Sequence, residues 1–158
     1  MKIVAALTVF VCSIALASPP AAEPQAAEAI KAPTPTIVHL WAPWCSNCKA
    51  ELKSGGWTKM ITDNPQTQFL FVSIWHSGDD GRAALNRYGV GEQPNVVILA
   101  DRGPRHGPEK LKRFLDQPVS WIPTTWVFKG GELRYALNYG EVRFDLLQQL
   151  LEDTKREW

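Results

Sequence analysis

Two cysteines three positions apart, Cys45 and Cys48 in Trp44-Cys45-Ser46-Asn47-Cys48, are the residues whose type and spacing point most directly to chemistry. A thiol attacks a disulfide only as its thiolate, and a free cysteine, with a pKa of about 8.5, is mostly protonated at neutral pH. A helix N-terminus lowers that value through its unpaired N–H groups and partial positive charge. The sequence supplies such a terminus. Lys49, Ala50, Glu51, Leu52 and Lys53 are helix formers, and Gly55-Gly56 reads as a stop. Upstream, Ile37, Val38, Leu40 and Trp41 form an apolar run interrupted only by His39, a buried-strand signature that leads straight into Ala42-Pro43-Trp44. Cys45 is therefore expected at a strand-to-helix junction, with Cys48 one turn on, facing inward as the resolving thiol. This spacing puts both sulfurs on one side of the first turn, where they can close a small ring and act as a two-electron switch.

The third cysteine, Cys12, lies in an N-terminal stretch with the features of a secretory signal: Lys2, the apolar run Ile3 to Leu16, and Ala15-Leu16-Ala17 as an A-x-A cleavage site. Residues 1–17 read as a signal peptide and the mature chain as starting near Ser18, in the periplasm or secreted. An apolar run of about 15 residues falls short of the roughly 20 a spanning helix needs, so no stable membrane insertion is expected after cleavage. Bulky Val9-Phe10-Val11 before Cys12 argue against lipid attachment there. An exported chain sits where disulfides persist, yet the mature one has no cysteine besides Cys45 and Cys48. The pair is then reactive, metal-binding or locally bridged. A zinc site needs two further soft ligands, and His39, His76 and His106 are scattered rather than spaced as a second pair. A purely structural bridge would close too short a loop to stabilise much. No metal or other cofactor is expected.

The chain of 158 residues is 45% hydrophobic and 21% charged, ordinary for one globular domain with a real core. Its 17 basic and 16 acidic residues are interspersed, which gives no basic face for nucleic acid or anionic lipid. From Ser18 to Pro35, five prolines and many alanines with few large apolar residues read as a flexible tether, so that the folded domain spans residues 36–158. Phe69 to Trp75 reads as a central strand, followed by a Gly/Asp turn holding His76 and Asp79-Asp80, and by a helix from about Arg82 to Tyr88. Asn95 to Ala100 repeats the strand signature and Pro108 to Leu115 the helical one. Thr124 to Phe128 and Leu133 to Leu137 flank a Gly130-Gly131 hairpin. Phe144, Leu146, Leu147, Leu150 and Leu151 share one face of a final helix. These elements describe an α/β fold with a central mixed sheet flanked by helices on both faces.

At Trp41-Ala42-Pro43-Trp44-Cys45-Ser46-Asn47-Cys48-Lys49 and Trp121-Ile122-Pro123-Thr124-Thr125-Trp126-Val127-Phe128, the sequence resembles the thioredoxin superfamily, and within it the exported TlpA-like and ResA-like branch. The resemblance runs from about Thr36 to Thr154 and implies a thioredoxin fold. It further implies that Ile122-Pro123 is cis and lies against the disulfide. A proline there has no N–H to compete for the sulfur, and the Ile122 backbone is left to pair with an extended substrate strand. Trp41, Trp44 and Trp121 could rim the same face as an apolar patch, the alternative for Trp41 being the core.

His39 and Ser46-Asn47 depart from the thioredoxin pattern. His39 stands six residues before Cys45, where thioredoxin has a buried Asp; an imidazole there either helps deprotonate Cys48 or is a core histidine hydrogen-bonded to backbone. Ser46-Asn47 lacks the proline familiar between thioredoxin's cysteines, which leaves the direction of electron flow open. The resemblance implies thiol-disulfide exchange in the cell envelope, most directly the reduction of disulfides in exported partner proteins, such as apocytochrome or copper-site cysteines, with electrons from a membrane reductase. The competing readings are a disulfide oxidase or isomerase, and a chaperone or adaptor that holds copper(I) or a peptide on Cys45, Cys48 and His39 without turnover.

Overall fold

In the computed structural model the described residues are 22–76, 79–138 and 140–156. Residues 1–17, where the signal peptide was expected, lie outside them. The apolar run before the cysteines forms β1 (Thr36–Trp41), all six of whose residues are buried. Burial on both faces means that β1 sits mid-sheet. It pairs in parallel with β2 (Gln68–Ser73) and antiparallel with β6 (Thr124–Lys129). The full order is β3-β2-β1-β6-β7, with β3 (Val96–Ala100) parallel to β2 and β7 (Glu132–Leu137) antiparallel to β6. The β6–β7 turn needs both its glycines, since Gly130 and Gly131 have φ of 61° and 84°.

Three helices follow from the crossovers. β1 leads through α2 (Ser46–Lys53) and α3 (Gly56–Asp63) to β2, and β2 leads through α4 (Arg82–Arg87) to β3. Successive right-handed crossovers stepping the same way along a sheet place their helices on one face. The C-terminal α5 (Phe144–Lys155) packs there against α3 and β6. The expected stop at Gly55-Gly56 is real but momentary: Gly55 takes a left-handed φ of 75°, α2 ends, and α3 starts at the next residue. Gly56 carries no Cβ because one would overlap the Phe144 ring.

Two expectations are overturned. Residues 22–35 are not a tether: Ala22–Ala29 form a helix, α1, with Ala22, Ala26 and the following Ile30 buried. Alanine is the best helix former, and small side chains every fourth residue let a helix lie close to its neighbour without large apolar groups. Glu23 also ties α1 to a distant loop by accepting the Leu115 N–H at 2.7 Å. The folded domain therefore includes α1; residues 18–21 lie outside the described residues. The second correction concerns Pro108 to Leu115, which is not helical. The segment makes turns and the first strand of a small hairpin, β4 (Arg113–Phe114) with β5 (Gln117–Pro118). Its apolar residues Leu111, Phe114 and Leu115 amount to one helical turn, too little to nucleate a helix, and Leu115 and Asp116 adopt left-handed φ of 49° and 59°. Phe114, fully buried, anchors the hairpin to the core.

Candidate active site

Cys45 is the N-cap of α2, in extended conformation with φ −71° and ψ 120°. The Cys48 N–H, an unpaired donor of the first turn, donates to Cys45 Sγ at 3.3 Å. The two cysteines form a disulfide with Cα atoms 5.3 Å apart. Cys45 keeps 6% of its surface exposed and Cys48 only 1%, so the first sulfur is the one a partner can reach. The Ile122–Pro123 peptide is cis, and the Ile122 carbonyl oxygen lies 3.9 Å from Cys45 Sγ. Ile122 and Pro123 are buried, the loop being pinned by Thr124, whose hydroxyl donates to the Trp121 carbonyl at 3.0 Å.

Beneath the disulfide lies a polar group that the sequence did not single out as functional. Glu51, one turn after Cys48 on the same buried side of α2, is 2% exposed. Its Oε1 accepts the Val142 N–H at 2.6 Å and its Oε2 the Trp57 Nε1–H at 3.2 Å. His39 Nε2 stands 3.3 Å from the same Oε2, while His39 Nδ1 is 2.9 Å from Thr125 Oγ1. The imidazole is 2% exposed and packs on Trp57 and Phe71, with centroids 4.5 and 5.4 Å away. Burial works oppositely on the two groups. It pushes the Glu51 carboxyl up to about 7, against the two N–H donors, and pulls His39 down to about 3, so the imidazole is neutral wherever the carboxyl titrates. His39 Nδ1 shares its hydrogen bond with Thr125 Oγ1, while Nε2 faces the Glu51 carboxyl at ion-pair distance. Glu51 is thus the group of this pair able to exchange a proton near neutral pH.

His39 does not hydrogen-bond backbone, as one reading of it supposed. Its Nδ1 is hydrogen-bonded to Thr125 and its Nε2 faces Glu51, so neither ring nitrogen is turned toward the sulfurs as a third metal ligand. His76, expected in a solvated turn, is buried, while Asp79 and Asp80 accept the N–H groups of Gly81 and Arg82 at the start of α4. Among the described residues no cluster of three or more His, Cys, Asp or Glu could hold a metal ion.

Over Cys45 opens a cavity of about 420 Å³ lined by Trp44, Trp75, Trp121, Ile122, Arg105 and Lys110 among others. Among the described residues, Trp44 and Trp121 are the exposed large apolar ones, at 36% and 47%. Trp41 is not part of this rim. It is 1% exposed, in the core, where it fills the space over Gly81. Trp75 takes the third aromatic place.

The chain belongs to the thioredoxin-like domain family, whose profile it matches over residues 22–155, so the relationship extends to α1. That family, with a closed CxxC disulfide at a helix N-terminus, makes it a thiol-disulfide oxidoreductase of thioredoxin fold. Among solved structures it is similar to a secreted Mycobacterium tuberculosis disulfide oxidoreductase homologous to Escherichia coli DsbE, at 18% identity and a TM-score of 0.60 over 79% of this chain and 85% of that one. It is also similar to a DsbF homologue from Corynebacterium diphtheriae (16%, TM-score 0.58, 79% and 74% covered) and to a thioredoxin-family thiol:disulfide interchange protein from Chlorobium tepidum (16%, 0.58, 81% and 83%). Sequence comparison with curated proteins gives no significant match.

Proposed function

We propose that this protein reduces disulfides of exported partner proteins, drawing its electrons from a membrane reductase. The observation that carries the direction is the surroundings of Cys45 Sγ. A pair is strongly oxidising when its reduced form is stabilised, chiefly by stabilising the reactive thiolate. Here the sulfur receives one N–H, from Cys48, and faces the Ile122 carbonyl oxygen, a dipole unfavourable to negative charge. These direct contacts hold the thiolate only moderately, since Arg105 and Lys110 of the cavity lie on indole faces and are not hydrogen-bonded to the sulfur. Export is supported by the signal-like residues 1–17 and is in keeping with the secreted disulfide oxidoreductase of similar fold.

In the reaction the Cys45 thiolate attacks one sulfur of the partner disulfide, forming a Cys45–partner disulfide and releasing the other partner sulfur as thiolate, which takes a proton from water. The Cys48 thiol then gives its proton toward ionised Glu51 and attacks Cys45 Sγ. The Cys45–Cys48 bond forms, the mixed disulfide breaks, and the partner leaves with both sulfurs reduced. Two electrons pass from the pair to the partner. The Val142 N–H, Trp57 and His39 position the carboxyl, whose charge is set chiefly by its burial; Pro123, Ile122, Trp44 and Trp121 form the surface that seats the partner strand.

The test is the equilibrium reduction potential of the pair, together with insulin reduction in the presence of dithiothreitol. A potential near that of thioredoxin, about −270 mV, is expected, with insulin reduced above background. A value near about −120 mV, typical of strong envelope oxidants, would reverse the assigned direction.

A further inference from the structure

The exchange chemistry uses the sulfurs and the buried carboxyl and leaves unexplained two cations on the open side. Arg105 and Lys110 both line the cavity over Cys45, and neither is in an ion pair among the described residues. Each lies on the face of a cavity tryptophan: the Arg105 guanidinium carbon 3.7 Å from the Trp44 ring centroid, Lys110 Nζ 3.8 Å from that of Trp75. Cation–π packing fixes a charge in place without neutralising it. Among the described residues no acidic side chain lines the cavity. The whole chain is nearly balanced, at net +1, so two uncompensated cations at the mouth of its reactive sulfur are a local concentration.

The wall that holds them is built at a cost. Trp75 has φ 54°, a conformation a bulky residue rarely adopts, and is held there from both sides. Its carbonyl accepts the Trp44 Nε1–H at 2.8 Å, and its own Nε1–H donates to the Leu111 carbonyl at 2.9 Å. The active-site turn, the end of β2 and the connection carrying Arg105 and Lys110 are thereby locked into one surface.

The geometry points to a substrate class: an extended polypeptide segment that carries carboxylate side chains within a few residues of the cysteine Cys45 attacks. This rests on the exchange reading above. A strand alternates its side chains, so a segment that turns its sulfur down to Cys45 lays neighbouring residues against the rim, where Arg105 and Lys110 accept acids and repel bases. Carboxylates there raise the encounter rate, and salt weakens that effect.

The experiment uses the reduced full chain and disulfide-linked peptides that differ only in the residues flanking the cysteine, Glu, Gln or Lys. At low ionic strength the Glu peptide should oxidise the reduced pair roughly tenfold faster than the Lys peptide, measured as the second-order rate constant of the single exchange, with the Gln peptide between. The Glu-to-Lys ratio should shrink to about twofold in 0.5 M salt, where the Debye length falls to a few Å. In the R105Q/K110Q variant it should approach one at any salt. Exchange of the Gln peptide with no preference for Glu would overturn the substrate class and leave the exchange reading standing; no exchange with any peptide would overturn both. Glutathione disulfide reacting as fast as the Glu peptide would overturn the assignment to a polypeptide.

Discussion

The two sides of the Cys45–Cys48 disulfide are made of opposite materials. On the inner side, where a core would hold apolar groups, stand a carboxyl and an imidazole, each 2% exposed. On the outer side, where a surface would be polar, stand Trp44 and Trp121, with Arg105 and Lys110 laid over indole rings. Each arrangement runs against stability taken alone, since burying an ionisable group and exposing large apolar area both cost free energy. The contrast teaches that the disulfide separates two tasks. Proton transfer needs a dry place in which a carboxyl is displaced toward neutrality, whereas capture of a partner needs apolar and charged groups within reach of solvent.

The largest effects should come from the sulfurs between the two sides. Cys45→Ser is expected to lower insulin reduction by at least about a thousandfold, because the other thiol of the first turn, Cys48, is 1% exposed and out of a partner's reach. Cys48→Ser should instead accumulate a Cys45–partner disulfide visible on non-reducing gels; failure to trap any such species would remove Cys48 from the resolving role.

On the inner side, Glu51→Gln should slow resolution of the mixed disulfide by about a hundredfold while changing its formation much less. In the unaltered protein the resolution rate should rise with pH through about 7, as the carboxyl ionises and becomes an acceptor. A variant with the same inflection would show that another group carries the proton.

Stability should read the same pair. The Glu51 pKa is raised on folding, so the folded state binds more protons than the unfolded one between its ordinary value of 4.5 and about 7, and its contribution is lost as pH rises through that window. His39 is lowered from 6.5 to about 3, so its effect has the opposite sign: stability is lost as pH falls from 6.5 toward 3. Where the windows overlap, between 4.5 and 6.5, the two slopes oppose and denaturant midpoints should be nearly flat. His39→Gln should unmask the carboxyl, with stability falling by about 3 kcal/mol between pH 4.5 and 7. A flat profile in that variant would mean that Glu51 is not displaced.

The smallest effects belong outside. Trp121→Ala should move the melting temperature by no more than about 2 °C, since 47% of the residue is already exposed, while raising the KM for a protein disulfide by roughly three- to tenfold. A large stability loss with unchanged KM would make Trp121 a packing residue and not a contact.

The sequence alone determined the strand-turn-helix unit around Cys45 and the succession of the five main strands along the chain, because these follow from local rules: apolar runs, helix formers, and glycines where φ must be positive; their order in the sheet was decided by the tertiary structure. It also led to Cys45, Cys48 and the Ile122–Pro123 loop. It misread α1, whose alanine stripe carries no hydrophobic signal until a partner surface is supplied, and it gave the segment after Gly107 a helix that its few apolar residues could not sustain. Glu51 was legible only as a helix former among charged neighbours, because nothing in Lys49-Ala50-Glu51 tells which side chain turns inward. Its position three residues after an inward-facing Cys48 was the available signal. Only the tertiary structure brings Glu51 to His39, Trp57 and Val142, and Arg105 and Lys110 to the mouth above Cys45. A titration and a charge field depend on distance and burial, and those are set when segments far apart in the chain close on one another.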